Sequence, residues 1–163
     1  MQEAAVQFVQ QMGDDDYISI IAFSTEPELI VRHVLVGENR DKIVRAIRDL
    51  RAIGDTTLFD AIGDGAALLT ATTQPTTANA MIVLSDGQDT RSYRFNTATA
   101  MQEASANNAT VFTIAYGGDA DERTLEQLAI QANGNFFVGD EASIAAIYEE
   151  MSAAFGGSVG VGR

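Results

Sequence analysis

The chain alternates between short apolar runs and amphipathic stretches, and the spacing of its hydrophobic positions sets the first expectations. Residues 1–12 place Ala4, Ala5, Phe8, Val9 and Met12 on one helical face, closed by Gly13 and the acidic turn Asp14–Asp15–Asp16. Tyr17 to Phe23 is a nearly unbroken apolar run rich in β-branched and aromatic residues, suited to a strand covered on both faces. After the turn Ser24–Thr25–Glu26–Pro27, residues Leu29 to Val36 alternate with Glu28 and Arg32 outward. So short a connection predicts an antiparallel edge strand, on which the single His33 reads as a surface residue.

Helical spacing returns at Asp41–Leu50 (Ile43, Val44, Ile47, Leu50) and at Leu58–Leu69, which opens on Thr57-x-x-Asp60, a capping-box pattern. Asn79–Ser85 predicts a second buried strand. Thr97–Ala106, Ala109–Tyr116, Glu122–Ala132, Asn135–Val138 and Ser143–Phe155 then read as helix, strand, helix, short strand and helix. Residues 1–155 form one domain, and the glycine-rich 156–163 reads as a tail or linker. Strands alternating with helices predict a three-layer α/β fold with a mostly parallel sheet. In such sheets the working residues lie in loops beyond the carboxyl ends of the strands. Two loops qualify: Gly54–Asp55–Thr56–Thr57 and Ser85–Asp86–Gly87–Gln88–Asp89.

Composition narrows the chemistry. There are 163 residues, enough for one core, and no Cys, which removes disulfides, thiolate metal sites and cysteine nucleophiles. Lys and Arg number 10 against 23 Asp and Glu, a formal charge of −13 that disfavours nucleic acid and anionic membrane and is compatible with cations. No apolar run approaches the roughly 20 residues of a membrane-spanning helix, and no basic-then-apolar signal peptide opens the chain.

The common catalytic patterns are missing. The only lysine, Lys42, lies in a helical pattern, and no G-x-x-x-x-G-K-[ST] occurs, so a P-loop is excluded. Gly63-x-Gly65 falls inside a helix and reads as a helix-packing contact rather than a dinucleotide loop. A Ser-His-Asp triad has no G-x-S-x-G elbow and only His33 to draw on. A phospho-acceptor domain could use Asp86, yet Ala115–Tyr116–Gly117 ends the later strand without the Lys it needs. Asp119-x-Asp121 starts like an EF-hand but continues with Arg123 and Ile130 where oxygen ligands are required. What remains is an oxygen-only cation site, with a Thr hydroxyl from one loop and an Asp carboxylate from the other. Read without further context, Asp86–Gly87 is a turn and Thr56 a helix cap.

Three segments in order change that balance: Asp16-Tyr-Ile-Ser-Ile-Ile-Ala-Phe-Ser24, Gly54-Asp-Thr-Thr-Leu-Phe-Asp-Ala-Ile62 and Ile82-Val-Leu-Ser-Asp-Gly87. Together they resemble the von Willebrand factor type A (VWA) domain over nearly the whole chain. The resemblance implies a Rossmann-like protein-binding module without enzymatic activity. Its metal-ion-dependent adhesion site would hold Mg²⁺ or Mn²⁺, with a carboxylate from a protein partner completing the shell. It maps the family's Thr onto Thr56 and its Asp onto Asp86. Ser85, Gly87, Gln88, Asp89 and Arg91 are close enough in sequence to shape the contact face. The family's D-x-S-x-S motif, at the end of a first, central strand, occurs nowhere here. The chain therefore resembles a member truncated before that strand, with an incomplete metal site and weak or no cation binding. The gap leaves two open sheet edges, beside Tyr17–Phe23 and Met81–Ser85, for another chain or the apolar tail Ser158–Val161 to fill, or to remain open and permit self-association. Alternative readings are a Mg²⁺-dependent hydrolase or phosphotransferase using Asp86, for which only Arg91 and Arg94 lie near enough to stabilise phosphate, and a structural subunit with a vestigial site. Bacterial relatives of this type are often secreted or membrane-anchored, and the expectation for this chain follows them.

Overall fold

The computed structural model describes residues 1–51, 54–72, 78–106, 109–140 and 142–155. In chain order the elements are α1 (Gln2–Gln11), β1 (Tyr17–Phe23), β2 (Pro27–Leu35), α2 (Val36–Arg48), α3 (Leu58–Thr72), β3 (Ala80–Ser85), α4 (Thr97–Ala106), β4 (Thr110–Tyr116), α5 (Glu122–Gln131), β5 (Phe136–Gly139) and α6 (Ile144–Phe155). The strands form two sheets. β1 and β2 make an antiparallel pair, as their short connection predicts, and β3, β4 and β5 make a parallel sheet in that order.

The parallel sheet follows from its sequence. β4 is centrally placed between β3 and β5, and its residues Val111 to Ala115 are all buried. Val111 and Ala115 join Leu58, Ile62, Val83, Met101, Leu125 and Leu128 in one cluster under α3, α4 and α5. Phe112 and Ile114 face the other way, into a cluster with Ala4, Ile144, Ile147, Tyr148 and Met151 from α1 and α6. A third cluster joins Val6 and Val9 of α1 to Ile43 and Ile47 of α2 over the β1–β2 pair. Helix α1 therefore serves two clusters, and Val6, outside its expected apolar face, is fully buried.

Three expectations need correction. β1 and β3 have helices on both faces but are less buried than expected: no residue of β1 is buried, and in β3 only Val83 and Ser85 are. The cause is lateral. Among the described residues β1 pairs only with β2 and β3 only with β4, so each keeps one open edge. Second, Val36 begins α2 rather than ending β2, and α2 stops at Arg48. The β1–β2 ladder closes at the Tyr17–Leu35 pair, after which the Val36 and Gly37 N–H groups donate to the Asp16 and Asp14 carbonyls at 2.8 and 3.0 Å and turn the chain. Third, Thr57 and Asp60 do not form a capping box. The Thr57 hydroxyl donates instead to the Ser24 carbonyl at 2.9 Å, and Asp60 is turned to another loop.

The acidic run at 14–16 is a turn, in which Asp16 accepts from the Gly13 N–H at 2.8 Å and Asp14 pairs with Arg40 at 2.7 Å. His33 lies on the exposed side of β2, stacked on the Tyr17 ring with centroids 4.6 Å apart. Gly63 is the helix-packing contact its position suggests, since a Cβ there would collide with the Phe95 ring. The tail 156–163 lies outside the described residues.

Candidate functional site

The two loops singled out in the sequence meet at the end of the parallel sheet. Gly54 has φ +112°, a conformation glycine adopts without strain, and a Cβ on it would collide with the Thr25 hydroxyl. The loop can thus lie against the β1–β2 turn and deliver Thr56 just ahead of α3. The 86–96 loop is then sewn onto it. Thr56 N–H donates to Thr90 Oγ1 at 3.0 Å, and the Thr90 and Arg91 N–H groups donate back to the Thr56 carbonyl at 2.9 and 3.1 Å. A Cβ built on Gly87 would lie 3.5 Å from Thr56 Oγ1, so the turn after β3 passes close beside the threonine hydroxyl.

The first turn of α3 presents backbone N–H groups that need acceptors. Asp89 Oδ2 takes the Phe59 N–H and Ser92 Oγ takes the Asp60 N–H, both at 3.1 Å. Asp89 is itself held by Ser92, whose N–H and hydroxyl donate to it at 3.1 and 2.5 Å. The helix is capped in trans by the neighbouring loop, which explains why the local Thr57-x-x-Asp60 pattern is idle.

Asp60 was not among the site residues expected from the sequence. Its side chain is 0% exposed and accepts the N–H groups of Tyr93, Arg94 and Phe95 at 3.3, 3.0 and 2.9 Å. Burial pushes its carboxyl up, but those three hydrogen bonds and the Arg94 charge outweigh burial and hold it below the ordinary carboxylate range. Arg94 in turn forks onto Asp64, one turn further along α3, at 2.6 and 2.8 Å, and this pairing raises its pKa. The signal was available: Asp60 and Asp64 are acids at helical spacing in an otherwise apolar helix.

The expected site residues divide by exposure. Asp86 and Gln88 are exposed, Thr56 and Gly87 half-buried, and Arg91 is exposed with its guanidinium 2.9 Å from Asp55. Ser85 is 1% exposed, its hydroxyl donating to the Gly87 carbonyl at 3.1 Å, and Asp89 is committed to the α3 cap. Ser85 and Asp89 therefore shape this end of the sheet from beneath. Among the described residues the Thr56 hydroxyl and the Asp86 carboxylate have no hydrogen-bond or ion-pair partner. They are hard oxygen donors, right in kind for a divalent cation but short of the six or so that Mg²⁺ requires. No three His, Cys, Asp or Glu residues among the described ones cluster as a metal site.

An α/β fold of this topology, with a Thr-bearing loop and an Asp-Gly turn meeting beyond the strands, defines a Rossmann-like domain of the VWA class. The sequence profile of the von Willebrand factor type A domain matches residues 1–150, and the chain belongs to that family. A solved structure of a von Willebrand factor type A protein from Catenulispora acidiphila has a TM-score of 0.81 and 20% identity over 93% of this chain, which spans 36% of that protein. The vWF domain of the type V pilus tip protein Mfa5 from Porphyromonas gingivalis matches with a TM-score of 0.77 and 13% identity, covering 99% of this chain and 89% of its own. Proximal thread matrix protein 1 from the mussel byssus, in a form with a zinc-occupied MIDAS motif, matches with a TM-score of 0.72 and 16% identity over 92% of this chain and 40% of that one. No curated protein matches. These likenesses are likenesses of fold. Domains of this family generally mediate protein interactions rather than catalysis, and no described helix is long and apolar enough to cross a membrane.

Proposed function

We propose that the chain is a non-enzymatic protein-binding module whose binding face is the loop cluster 54–57 and 86–91, with Thr56 and Asp86 as the ligands it offers to Mg²⁺ or Mn²⁺. The observation that carries the reading is the pairing of Thr56 with Thr90 and Arg91, which brings the two loops into contact and the Gly87 turn close to Thr56 Oγ1 while both donors stay uncommitted. A cation there would supply a positive centre for a carboxylate of the partner protein, and water would fill much of its shell. The exposed Gln88 and Arg91 and the half-buried Gly87 border this centre and would meet the partner, with Ser85 and Asp89 holding the loop in shape. The zinc-bearing byssus protein and the pilus tip domain support a metal-linked, extracytoplasmic setting by analogy of fold.

Calorimetric titration with Mn²⁺ and Mg²⁺ tests this, on the chain itself and on a version extended at its amino end by a strand closing in D-x-S-x-S. Weak binding to the first and tight binding to the second supports the reading. Binding by the extended chain that survives both Asp86→Ala and Thr56→Val overturns it.

A further inference from the structure

Between Arg91 and Phe95 the loop beyond Asp86 gives every side chain but one a structural task. Arg91 pairs with Asp55 at 2.9 Å, and the Ser92 hydroxyl donates to Asp89 while accepting the Asp60 N–H. Arg94 forks onto Asp64, and the Phe95 ring fills the space beside Gly63. The exception is Tyr93. Its side chain makes no hydrogen bond, ion pair or ring contact among the described residues, and at 74% it is the most exposed of their large apolar side chains. Its backbone, by contrast, is pinned, because the N–H groups of Tyr93, Arg94 and Phe95 all donate to the buried Asp60. Asp60 lies four residues beyond Thr56, about one helical turn, which mounts Tyr93 on the rim of the loop cluster.

A ring carried on a backbone already fixed has only its two side-chain torsions left to order on binding, which is why tyrosine so often anchors protein contacts. Its surroundings define the group it suits. The guanidiniums on either side are already paired, Arg91 with Asp55 and Arg94 with Asp64, so neither flank presents a free charge to a partner. What Tyr93 adds to the face is apolar area, to be covered by an apolar group. We infer that Tyr93 is an apolar anchor of the binding face, on which a partner protein packs an aliphatic side chain close in sequence to the carboxylate it gives to the cation. This rests on the loop cluster being the binding face, and it adds to that face a contact that needs no cation.

The test is NMR on the full chain with ¹³C-labelled tyrosine rings, four in all, the Tyr93 signal being the one lost in Tyr93→Phe. The probes are acetylated, amidated peptides of Asp and Leu separated by zero to three glycines, with counterparts ending in Gly or Lys, in excess Mg²⁺. The best leucine probe should shift the Tyr93 ring saturably and bind about fivefold more tightly than its glycine counterpart, leaving the exposed Tyr17 unmoved. Read on the amides of residues 86–91, Tyr93→Phe should keep that preference and Tyr93→Ala should abolish it. Equal shifts at Tyr17 and Tyr93, no shift at Tyr93, or a lysine probe held more tightly through Tyr93 than the leucine one overturns the anchor. The amino-extended chain separates this inference from the reading beneath it. A leucine preference at Tyr93 that Mg²⁺ removal and Asp86→Ala leave wholly unaltered retains the anchor and defeats the cation-linked reading. Mg²⁺-dependent shifts in residues 54–57 and 86–91 that never reach Tyr93 do the reverse.

Discussion

The carboxylate of Asp60 accepts the backbone N–H of Phe95 at 2.9 Å across 35 positions of chain. With Tyr93 and Arg94 donating to the same group, one buried side chain on α3 fixes the backbone of the loop that leads away from the candidate site. Asp89 and Ser92 return the favour by capping α3. The proposed binding face is therefore cross-braced by hydrogen bonds before any ligand arrives, which lowers the cost of ordering it.

Replacing Asp60 tests how much that unit contributes. Asp60→Ala strands three backbone donors in a site closed to water, while the part-exposed Arg94 keeps its fork onto Asp64, and should cost about 3 kcal/mol. Asp60→Asn keeps one carbonyl oxygen and should cost less. Urea unfolding followed by far-UV dichroism measures both, as a lowered midpoint at unchanged slope. A change below about 0.5 kcal/mol for Asp60→Ala would show that the loop holds itself without this carboxylate.

The same residue sets an acid limit. Its folded-state pKa lies below the ordinary value of 3.8, so the unfolded chain binds the proton more readily. The stabilisation is complete above the unfolded-state pKa and is lost as pH falls through the lower, folded-state one. Stability should thus drop steeply below about pH 4, and the part of that drop due to Asp60 should vanish in Asp60→Asn. Urea midpoints between pH 2.5 and 6 separate the two proteins: parallel curves would contradict the assignment.

Gly63 offers a packing test on the same interface. A methyl group there would collide with the Phe95 ring, which also lies 6.0 Å below the Arg94 guanidinium. Gly63→Ala gains helix propensity yet should lose about 2 kcal/mol, because overpacking outweighs the fraction of a kcal/mol to be gained from glycine removal. Combining it with Phe95→Leu should recover part of the loss. A double-mutant cycle with additive effects would place the strain elsewhere.

Periodicity located these elements well because it reports faces, and faces are what helices and central strands bury. Thr97–Ala106 matches its expected bounds, and β4, with a neighbour on each side, is as buried as its apolar run implies. The same reasoning overstated β1 and β3. Apolar residues show that a strand suits a covered position, whereas coverage itself depends on the lateral neighbour, which a single run does not encode. The site was legible in part for a related reason. Thr56 and Asp86 stand out through the resemblance of their local motifs, but the role of Asp60 depends on a contact with residues more than 30 positions away. Thr57-x-x-Asp60 looked like a local cap for want of that information, and a distant loop supplies the acceptors instead.

Asp86 and Asp89, three positions apart on one loop, should respond oppositely to mutation. The Asp89 carboxylate holds the Phe59 N–H and both donors of Ser92, so Asp89→Ala removes a helix cap and should lower stability by about 1–2 kcal/mol. Asp86 is exposed and bonded to nothing among the described residues, so Asp86→Ala should leave the urea midpoint within about 0.5 kcal/mol of the parent. Cation binding should reverse the order. On the amino-extended chain, Mn²⁺ heats should fall at least about tenfold in affinity for Asp86→Ala, a missing direct ligand, and less for Asp89→Ala if the loop remains folded. Titration and denaturation of the two variants side by side give four numbers, and only this crossed pattern fits Asp86 as ligand and Asp89 as cap. Equal losses of affinity at unequal stability would instead make the whole loop, rather than the Asp86 carboxylate, the determinant of binding.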